Sequence, residues 1–304
     1  MSPFLLIIPL FIVMALGYVL KKLAVLDEEL VGHLNRLLTR VLLPALLFRS
    51  TSRTVISEVG SASLGFLAAV LLVAALAIVV SLAMPRRVRG AFVQSSFRGN
   101  LAYLGLPVVA AVFGEAAISI AAAILAGGLI LHIILTIVLL QILDPDRPDL
   151  DLQANLKTII TNPLILSAAA GLLFSATGLT LPRLLAETLD LLGRGALPLA
   201  LLVIGCTVSF RGIRARLSLT LLAVAFKLIL MPALAFVIMS FIFGAEGEIL
   251  QIVVIMAASP TAILAQTFAE AFNADGHLAA ATVALSTMFG LLAFPLWSAL
   301  LGIA

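Results

Sequence analysis

Charged side chains are scarce in this sequence. Asp, Glu, Lys and Arg make up 11% of its 304 residues, whereas a soluble domain carries roughly a quarter. Apolar residues make up 63%, and the mean hydropathy is +1.25. Because a spanning helix needs about 20 apolar residues, ten such helices with short loops would account for nearly the whole chain. The composition therefore predicts an all-α integral membrane protein with no separate soluble domain.

The sequence also lacks the residues of several common chemistries. Its single cysteine, Cys206, excludes an intrachain disulfide, and no cluster of His and Cys has the spacing of metal ligands. We therefore expect neither a metal nor another cofactor. Without a phosphate-binding Gly-rich loop or a Ser-His-Asp set, we expect a protein that is not an enzyme and is not driven by ATP on its own. The absence of paired intramembrane aspartates disfavours a two-aspartate sodium/proton exchanger.

The formal net charge is +3 and the pI is about 9.4. In a soluble protein this basicity might suggest a nucleic-acid partner, but here Lys and Arg lie between apolar runs, so we interpret them as topology signals and expect no nucleic acid. No positive region precedes the first apolar run, as it would in a cleaved signal peptide. We expect that run to be a retained helix.

Gly, Pro and charge clusters separate ten apolar runs, which are the predicted spans 1 to 10. The first half contains spans at 3–20, 31–48, 62–84, 90–112 and 116–143. The second half contains spans at 156–176, 184–209, 215–243, 247–271 and 277–302.

The loops differ in their content of Lys and Arg, which are enriched on the cytoplasmic side of membrane proteins. Each loop is numbered by the span that precedes it. The only Lys or Arg residues in the even-numbered loops are Arg49, Arg53 and Arg183. The odd-numbered loops carry Lys21, Lys22, Arg86, Arg87, Arg89, Arg147, Lys157, Arg211, Arg214 and Arg216. This bias predicts a multi-pass protein of the cell membrane with cytoplasmic odd loops and with both termini outside.

Proline and glycine positions indicate an internal repeat. Three residues of the first half recur 154 positions later, and Pro107 recurs at Pro260, 153 positions later. The three pairs are Pro9 with Pro163, Gly17 with Gly171, and Pro44 with Pro198. Because five spans is an odd number, the second copy must enter the membrane from the opposite side, as in inverted-repeat transporters. The sequence therefore predicts two five-helix units, 1–150 and 151–304.

Spans 4 and 9 are interrupted at corresponding places, before Pro107 and around Pro260. A proline frees a carbonyl one turn earlier, and lipid cannot satisfy it, so such a break must be buried or face a water-filled cavity. Half-helix N-termini at a break offer free N–H groups and a partial positive charge, which suit a carboxylate. The two breaks thus predict a substrate site near the membrane midplane; the alternative is a pair of proline kinks that ease packing.

The polar candidates for this site flank the two breaks. Asn100 has an amide that can donate and accept, either to a substrate or as a helix cap or interhelical bond. Hydroxyl groups near the breaks are weaker candidates, because in membrane helices they usually bond back to their own backbone. The predicted substrate-binding set is Asn100, Tyr103, Gly105, Pro107, Ser259, Pro260 and Thr261.

Three further residues are candidates for charge attraction or coupling. Arg98 lies too far into span 4 to reach the interface easily, so it attracts anions on the cytoplasmic path, belongs to a structural ion pair, or lies in a polar cavity. Lys227 lies near the middle of span 8, where a charge costs about 2.5 to 3.5 kcal/mol. It can steer anions, act in a proton-linked switch, or bond to polar groups of spans 9 and 10. His132 is either a proton relay or a packed core residue.

Several stretches resemble the auxin efflux carrier family, which includes plant carriers and many bacterial permeases. The most specific is the N-x4-G-x-P pattern of Asn100, Gly105 and Pro107. Similar stretches are Asn35-Arg36 with Leu43-Pro44-Ala45-Leu46-Leu47-Phe48, Asn162-Pro163, and Phe268-Ala269-Glu270-Ala271-Phe272-Asn273. The resemblance covers the whole chain.

This resemblance implies ten helices with crossed helices 4 and 9, a scaffold of helices 1, 2, 6 and 7, and a mobile core of helices 3–5 and 8–10. It also implies an elevator-type carrier of organic anions that forms homodimers and binds substrate at the crossing. Span 3 lacks the acid and the lysine that the plant carriers have there. Leu47 stands where those carriers have a serine after the proline of helix 2. These departures disfavour an auxin-like anion, and the resemblance to bacterial members of the family implies a small carboxylate such as malate or malonate as the partner.

Two other functions remain open. A sodium-coupled symporter of the bile-acid type would share ten helices and crossed breaks, but would need acidic and amide groups clustered there for sodium. Asn100 is present, yet neither break contains a carboxylate. A receptor that does not transport would bind a ligand without flux.

Overall fold

The computed structural model describes residues 3–54, 56–143, 157, 160–207 and 216–303. Within these ranges the chain is helical, and no β-strand occurs beyond one isolated bridge. Among the described residues, seven helices are long and apolar enough to cross a membrane: α1, α2, α3, α6, α8, α9 and α12. The helices are α1 (Pro3–Lys22), α2 (Glu28–Thr51), α3 (Ile56–Ser81), α4 (Arg86–Phe97), α5 (Leu101–Phe113), α6 (Glu115–Ile142), α7 (Pro163–Ala176), α8 (Arg183–Thr207), α9 (Leu217–Ile242), α10 (Gly247–Ala257), α11 (Leu264–Ala271) and α12 (Gly276–Leu300).

The prediction of an all-helical fold is confirmed for the described residues, which include seven candidate membrane spans, whereas the count of ten spans stays a prediction. Span 4 is divided into α4 and α5, and span 9 into α10 and α11. Each of these four helices is shorter than the roughly 20 residues that a span requires, and so is α7, with 14 residues. Part of predicted span 6 and the predicted loop charges Arg147, Arg211 and Arg214 lie outside the described residues.

Turns of π-helix interrupt three of the helices. They are Leu38–Leu42 in α2, Leu101–Gly105 in α5, and both Phe226–Leu230 and Ile238–Ile242 in α9. Each of the first three ends two residues before a proline: Pro44, Pro107 or Pro232. Proline removes a backbone donor, so a widened turn accommodates it without ending the helix. Such turns are frequent at functional sites, and two of them carry Tyr103 and Lys227.

Glycines let α1 approach α8 and let α2 approach α7. A side-chain carbon at Gly17 would overlap the carbonyl oxygen of Leu202, and one at Gly205 would overlap that of Met14. At Gly171 it would overlap the hydroxyl oxygen of Thr51. The first helix of each predicted half therefore packs against the second helix of the other half. This reciprocal packing is what an inverted repeat would produce, although the repeat itself stays a prediction.

Gly205→Ala is expected to destabilise the protein by about 1 to 3 kcal/mol, because the added methyl group must displace the α1 backbone. Gly195→Ala, on the same helix, is the matched control, since its nearest neighbour would be Leu42 Cδ1 at 3.9 Å. There the substitution should be neutral or stabilising. Thermal unfolding of both variants in detergent measures the difference, and equal melting temperatures would refute the close contact.

Candidate functional site

The two helix breaks meet and pair through their backbones. Gly99 and Thr261 form an antiparallel bridge, the amide of Asn100 donates to the carbonyl of Pro260 at 2.7 Å, and the amide of Ala262 donates to the carbonyl of Arg98 at 2.9 Å. We call residues 98–100 and 258–263 the crossover. The pairing satisfies polar backbone groups that the helix ends leave free, which explains how two breaks are tolerated in an apolar bundle.

Hydroxyl groups fix the crossover to neighbouring helices. Thr261 donates through Oγ1 to the carbonyl of Ser95 at 2.9 Å, and its amide donates to Ser286 Oγ at 3.0 Å. The hydroxyl of Thr261 is thus occupied by the backbone of α4. The buried hydroxyl of Ser259, by contrast, has no partner among the described residues.

A cavity of about 590 Å³ opens beside the crossover, and we call it the crossover cavity. One wall comes from α1, α2, α7 and α8, and the other from α5, α6, α11 and the crossover itself. The cavity is lined by four of the predicted site residues, Arg98, Asn100, Tyr103 and His132, together with Gly99. Gly105, Pro107, Ser259, Pro260, Thr261 and Lys227 do not line it.

Three nearly buried polar side chains in this wall have unused hydrogen-bonding capacity. Arg98, Asn100 and His132 are 2%, 5% and 1% exposed. Asn100 Nδ2 and His132 Nε2 have no hydrogen-bond partner among the described residues. Arg98 donates to Thr136 Oγ1 at 3.3 Å and lies 4.2 Å from the centre of the Phe268 ring, and no described carboxylate lies within ion-pair distance of it. The role of Arg98 stays a prediction, but its position in the wall of the crossover cavity is the one that attraction of anions would require.

Tyr103 links the two walls of the cavity. Its hydroxyl group donates to Asn35 Oδ1 at 2.5 Å, which joins α5 to α2. Asn35 also lines the cavity, as do Thr39 and Phe268. Asn35 and Phe268 were not predicted as site residues; both belong to stretches that resemble the family, and the Asn35-Arg36 motif was the one sequence signal of a role for Asn35.

The remaining predicted residues pack behind the crossover. Lys227 Nζ donates to the carbonyl of Ala257 at 2.6 Å, at the end of α10, and its side chain is 1% exposed. A side-chain carbon at Gly105 would lie 2.8 Å from Ser259 Oγ and 2.9 Å from Met256 Sδ, so α5 and α10 touch closely there. Pro260 is buried against Gly290 of α12.

A second cavity, of about 770 Å³, has no lining residue in common with the first. We call it the Arg49 cavity. It lies between α1, α2 and α8 on one side and α5 and α6 on the other, and Pro107 lines it. Arg49 forms a bidentate ion pair with Asp190 at 2.9 and 3.1 Å, and Arg53 reaches the same carboxylate at 3.3 Å. The two cavities therefore lie between largely the same helices, at different places along them.

The sequence of this chain is similar to those of known proteins. Residues 4–298 match the sequence model of a family described as membrane transport protein. An uncharacterized transporter of Methanothermobacter thermautotrophicus is 27% identical, with 97% of each chain covered. A putative malonate transporter of Rhizobium meliloti is 26% identical over 93% of this chain and 91% of the relative.

Proposed function

Because the chain belongs to the membrane transport protein family, we propose that it is a secondary carrier that binds small organic anions in the crossover cavity. The family match confirms the resemblance to the auxin efflux carriers and indicates a transporter rather than an enzyme. Together with the seven long apolar helices, it indicates a multi-pass membrane protein.

The observation that carries this proposal is the set of buried groups that can donate into one cavity. A buried donor without an acceptor costs about 1 to 3 kcal/mol, and a buried charge costs more. Arg98, Asn100 and His132 can all donate toward a ligand in the cavity, so a ligand rich in acceptors and negatively charged would satisfy them. A carboxylate has both properties, and it forms planar two-point contacts with a guanidinium.

Similarity to another protein favours small carboxylates, and the size of the cavity permits them. The cavity volume of about 590 Å³ is within the range of small-molecule sites, which is about 300 to 1,000 Å³. The Rhizobium meliloti relative is described as a putative malonate transporter, which supports a small dicarboxylate here as well. An auxin-like anion is the second candidate that the family resemblance supplies.

We further propose that transport is of the elevator type. The scaffold would consist of α1, α2, α7 and α8, and the moving unit would contain the crossover and the remaining helices. The bond between Tyr103 and Asn35 crosses this boundary and would break during the movement. Substrate held at Arg98 and Asn100 would then pass from the crossover cavity toward the Arg49 cavity. A homodimer formed through the scaffold helices would hold the scaffold fixed while the other unit moves.

Asn100→Ala should lower carboxylate affinity about fivefold to a hundredfold, because a lost polar contact to a ligand is worth about 1 to 3 kcal/mol. Binding to the purified protein measures the change. Gln251→Ala is the control, since its amide bonds to the carbonyl of Leu301 and lies outside both cavities. Unchanged affinity in a folded Asn100→Ala protein would remove this residue from the site.

We propose a location in the cell membrane with both termini outside. Single cysteines replace the exposed residues Arg87 and Glu246 in a Cys206→Ala background. On intact cells, an impermeant thiol reagent should label position 246 and should not label position 87, because the charge bias puts the loop at 87 inside. The opposite labelling pattern would invert the topology.

A further inference from the structure

Lys227 is a buried lysine near the middle of a predicted span, where a positive charge is energetically unfavourable. Its ammonium group donates to the carbonyl of Ala257 at the carboxyl end of α10, which carries a partial negative charge. No described carboxylate lies within ion-pair distance of it. The π-helical turn Phe226–Leu230 directs this side chain into the protein, and Trp297 Nε1 holds the same turn by donating to the carbonyl of Leu228 at 2.9 Å.

Lys227 lies next to Gly99, a residue of the wall of the crossover cavity. Gly99 lines the cavity, and a side-chain carbon at this position would lie 3.3 Å from Lys227 Cε and 3.4 Å from Nζ. The lysine therefore approaches the cavity wall from behind, although it does not line the cavity. A ligand against Gly99 would therefore interact with this charge across one peptide group.

We propose that Lys227 is a specificity-determining residue whose charge acts through Gly99 and favours anions with two negative charges over anions with one. This inference rests on the proposed function. Arg98 can contact one carboxylate directly, and Lys227 then supplies a second fixed positive charge for the other carboxylate. At an effective dielectric constant of about 20, two unit charges separated by about one peptide group interact strongly enough to change the affinity by about tenfold or more.

The test compares two ligands of equal size that differ by one charge. Malonate and its monoamide form one such pair, and succinate and its monoamide form another. Wild-type protein should bind the dicarboxylate at least about tenfold more tightly than the monoamide. Lys227→Gln keeps a donor for the carbonyl of Ala257 but removes the charge, so it should reduce this ratio about tenfold. Lys22→Gln makes the same charge change at an exposed residue outside the cavity and should leave the ratio unchanged.

The ratio separates this role from a structural one, because a distorted crossover would weaken both ligands equally. If Lys227→Gln does not fold, Lys227→Arg replaces it, and this variant should keep the wild-type ratio. The proposal is overturned by a Lys227→Gln ratio equal to that of wild type, by a folded Lys227→Arg protein that has lost the preference, or by wild-type protein that binds both ligands equally. Failure of wild-type protein to bind either ligand would instead overturn the proposed function.

Discussion

Replacing Arg98 by Gln is expected to lower the affinity for carboxylates about thirtyfold to a few thousandfold, without destabilising the empty protein. Removing one partner of a buried, hydrogen-bonded charge pair costs about 2 to 5 kcal/mol in binding. In the empty protein, Arg98 is a nearly buried cation whose contacts are the hydroxyl of Thr136 and the ring of Phe268. Because a buried charge without a counter-ion is unfavourable, a neutral side chain should leave the melting temperature unchanged or raise it.

Arg49→Gln provides the matched control for this prediction. Arg49 is also buried, but it forms a bidentate ion pair with Asp190, which is partly exposed. Its removal should cost about 1 to 3 kcal/mol of stability and leave affinity at the crossover cavity unchanged. Binding and thermal unfolding are measured on both variants. If Arg98→Gln instead lowers the melting temperature and retains full affinity, Arg98 is a structural residue.

The position of the crossover could be predicted because it depends on local chemistry. Proline and glycine change the backbone wherever they occur, so Pro107 and Pro260 identified the two breaks without any knowledge of packing. The contact of Asn100 with the carbonyl of Pro260 could not be predicted in the same way. It joins residues 160 positions apart, and hydropathy does not say which side of a break faces its partner.

One helix begins earlier than the apolar pattern alone indicates, because its first charged residues serve a structural purpose. Span 4 was predicted to begin at residue 90, after a basic loop, but α4 begins at Arg86. Arg89 lies inside the helix and donates to the carbonyls of Met84 at 2.9 Å and Leu82 at 2.8 Å, just beyond the end of α3. The guanidinium group thereby satisfies carbonyls beyond the end of α3, a tertiary role that charge counting cannot reveal.

The roles of individual side chains also depended on packing. Thr261 and Lys227 were candidates because of their place in the sequence, yet one bonds to the α4 backbone and the other lies behind Gly99. Asn35 was missed as a site residue because its approach to Tyr103 requires α2 and α5 to pack together. A single sequence locates polar residues along a helix, but neighbouring helices decide which of them reach a cavity.

Transport by this protein is expected to be electrogenic. The cavity wall supplies fixed positive charge, and the one described acid that lines it, Glu28, lies 3.8 Å from Lys21. The crossover itself, residues 98–100 and 258–263, contains no carboxylate that could bind a coupling cation. Moving one net negative charge outward gains about 2.3 kcal/mol per 100 mV of inside-negative potential. That gain suffices for about fiftyfold accumulation against a gradient.

The most direct measurement is the exit of labelled malonate from proteoliposomes under a potential imposed with potassium and valinomycin. We predict that an inside-negative potential accelerates exit, that replacing sodium by choline has no effect, and that Arg98→Gln abolishes the flux. Flux that requires sodium would instead indicate a symporter of the bile-acid type. Flux that does not change with the potential but is accelerated by a pH gradient would indicate proton coupling. Binding of malonate without any flux would contradict the account, since it would make the protein a receptor rather than a carrier.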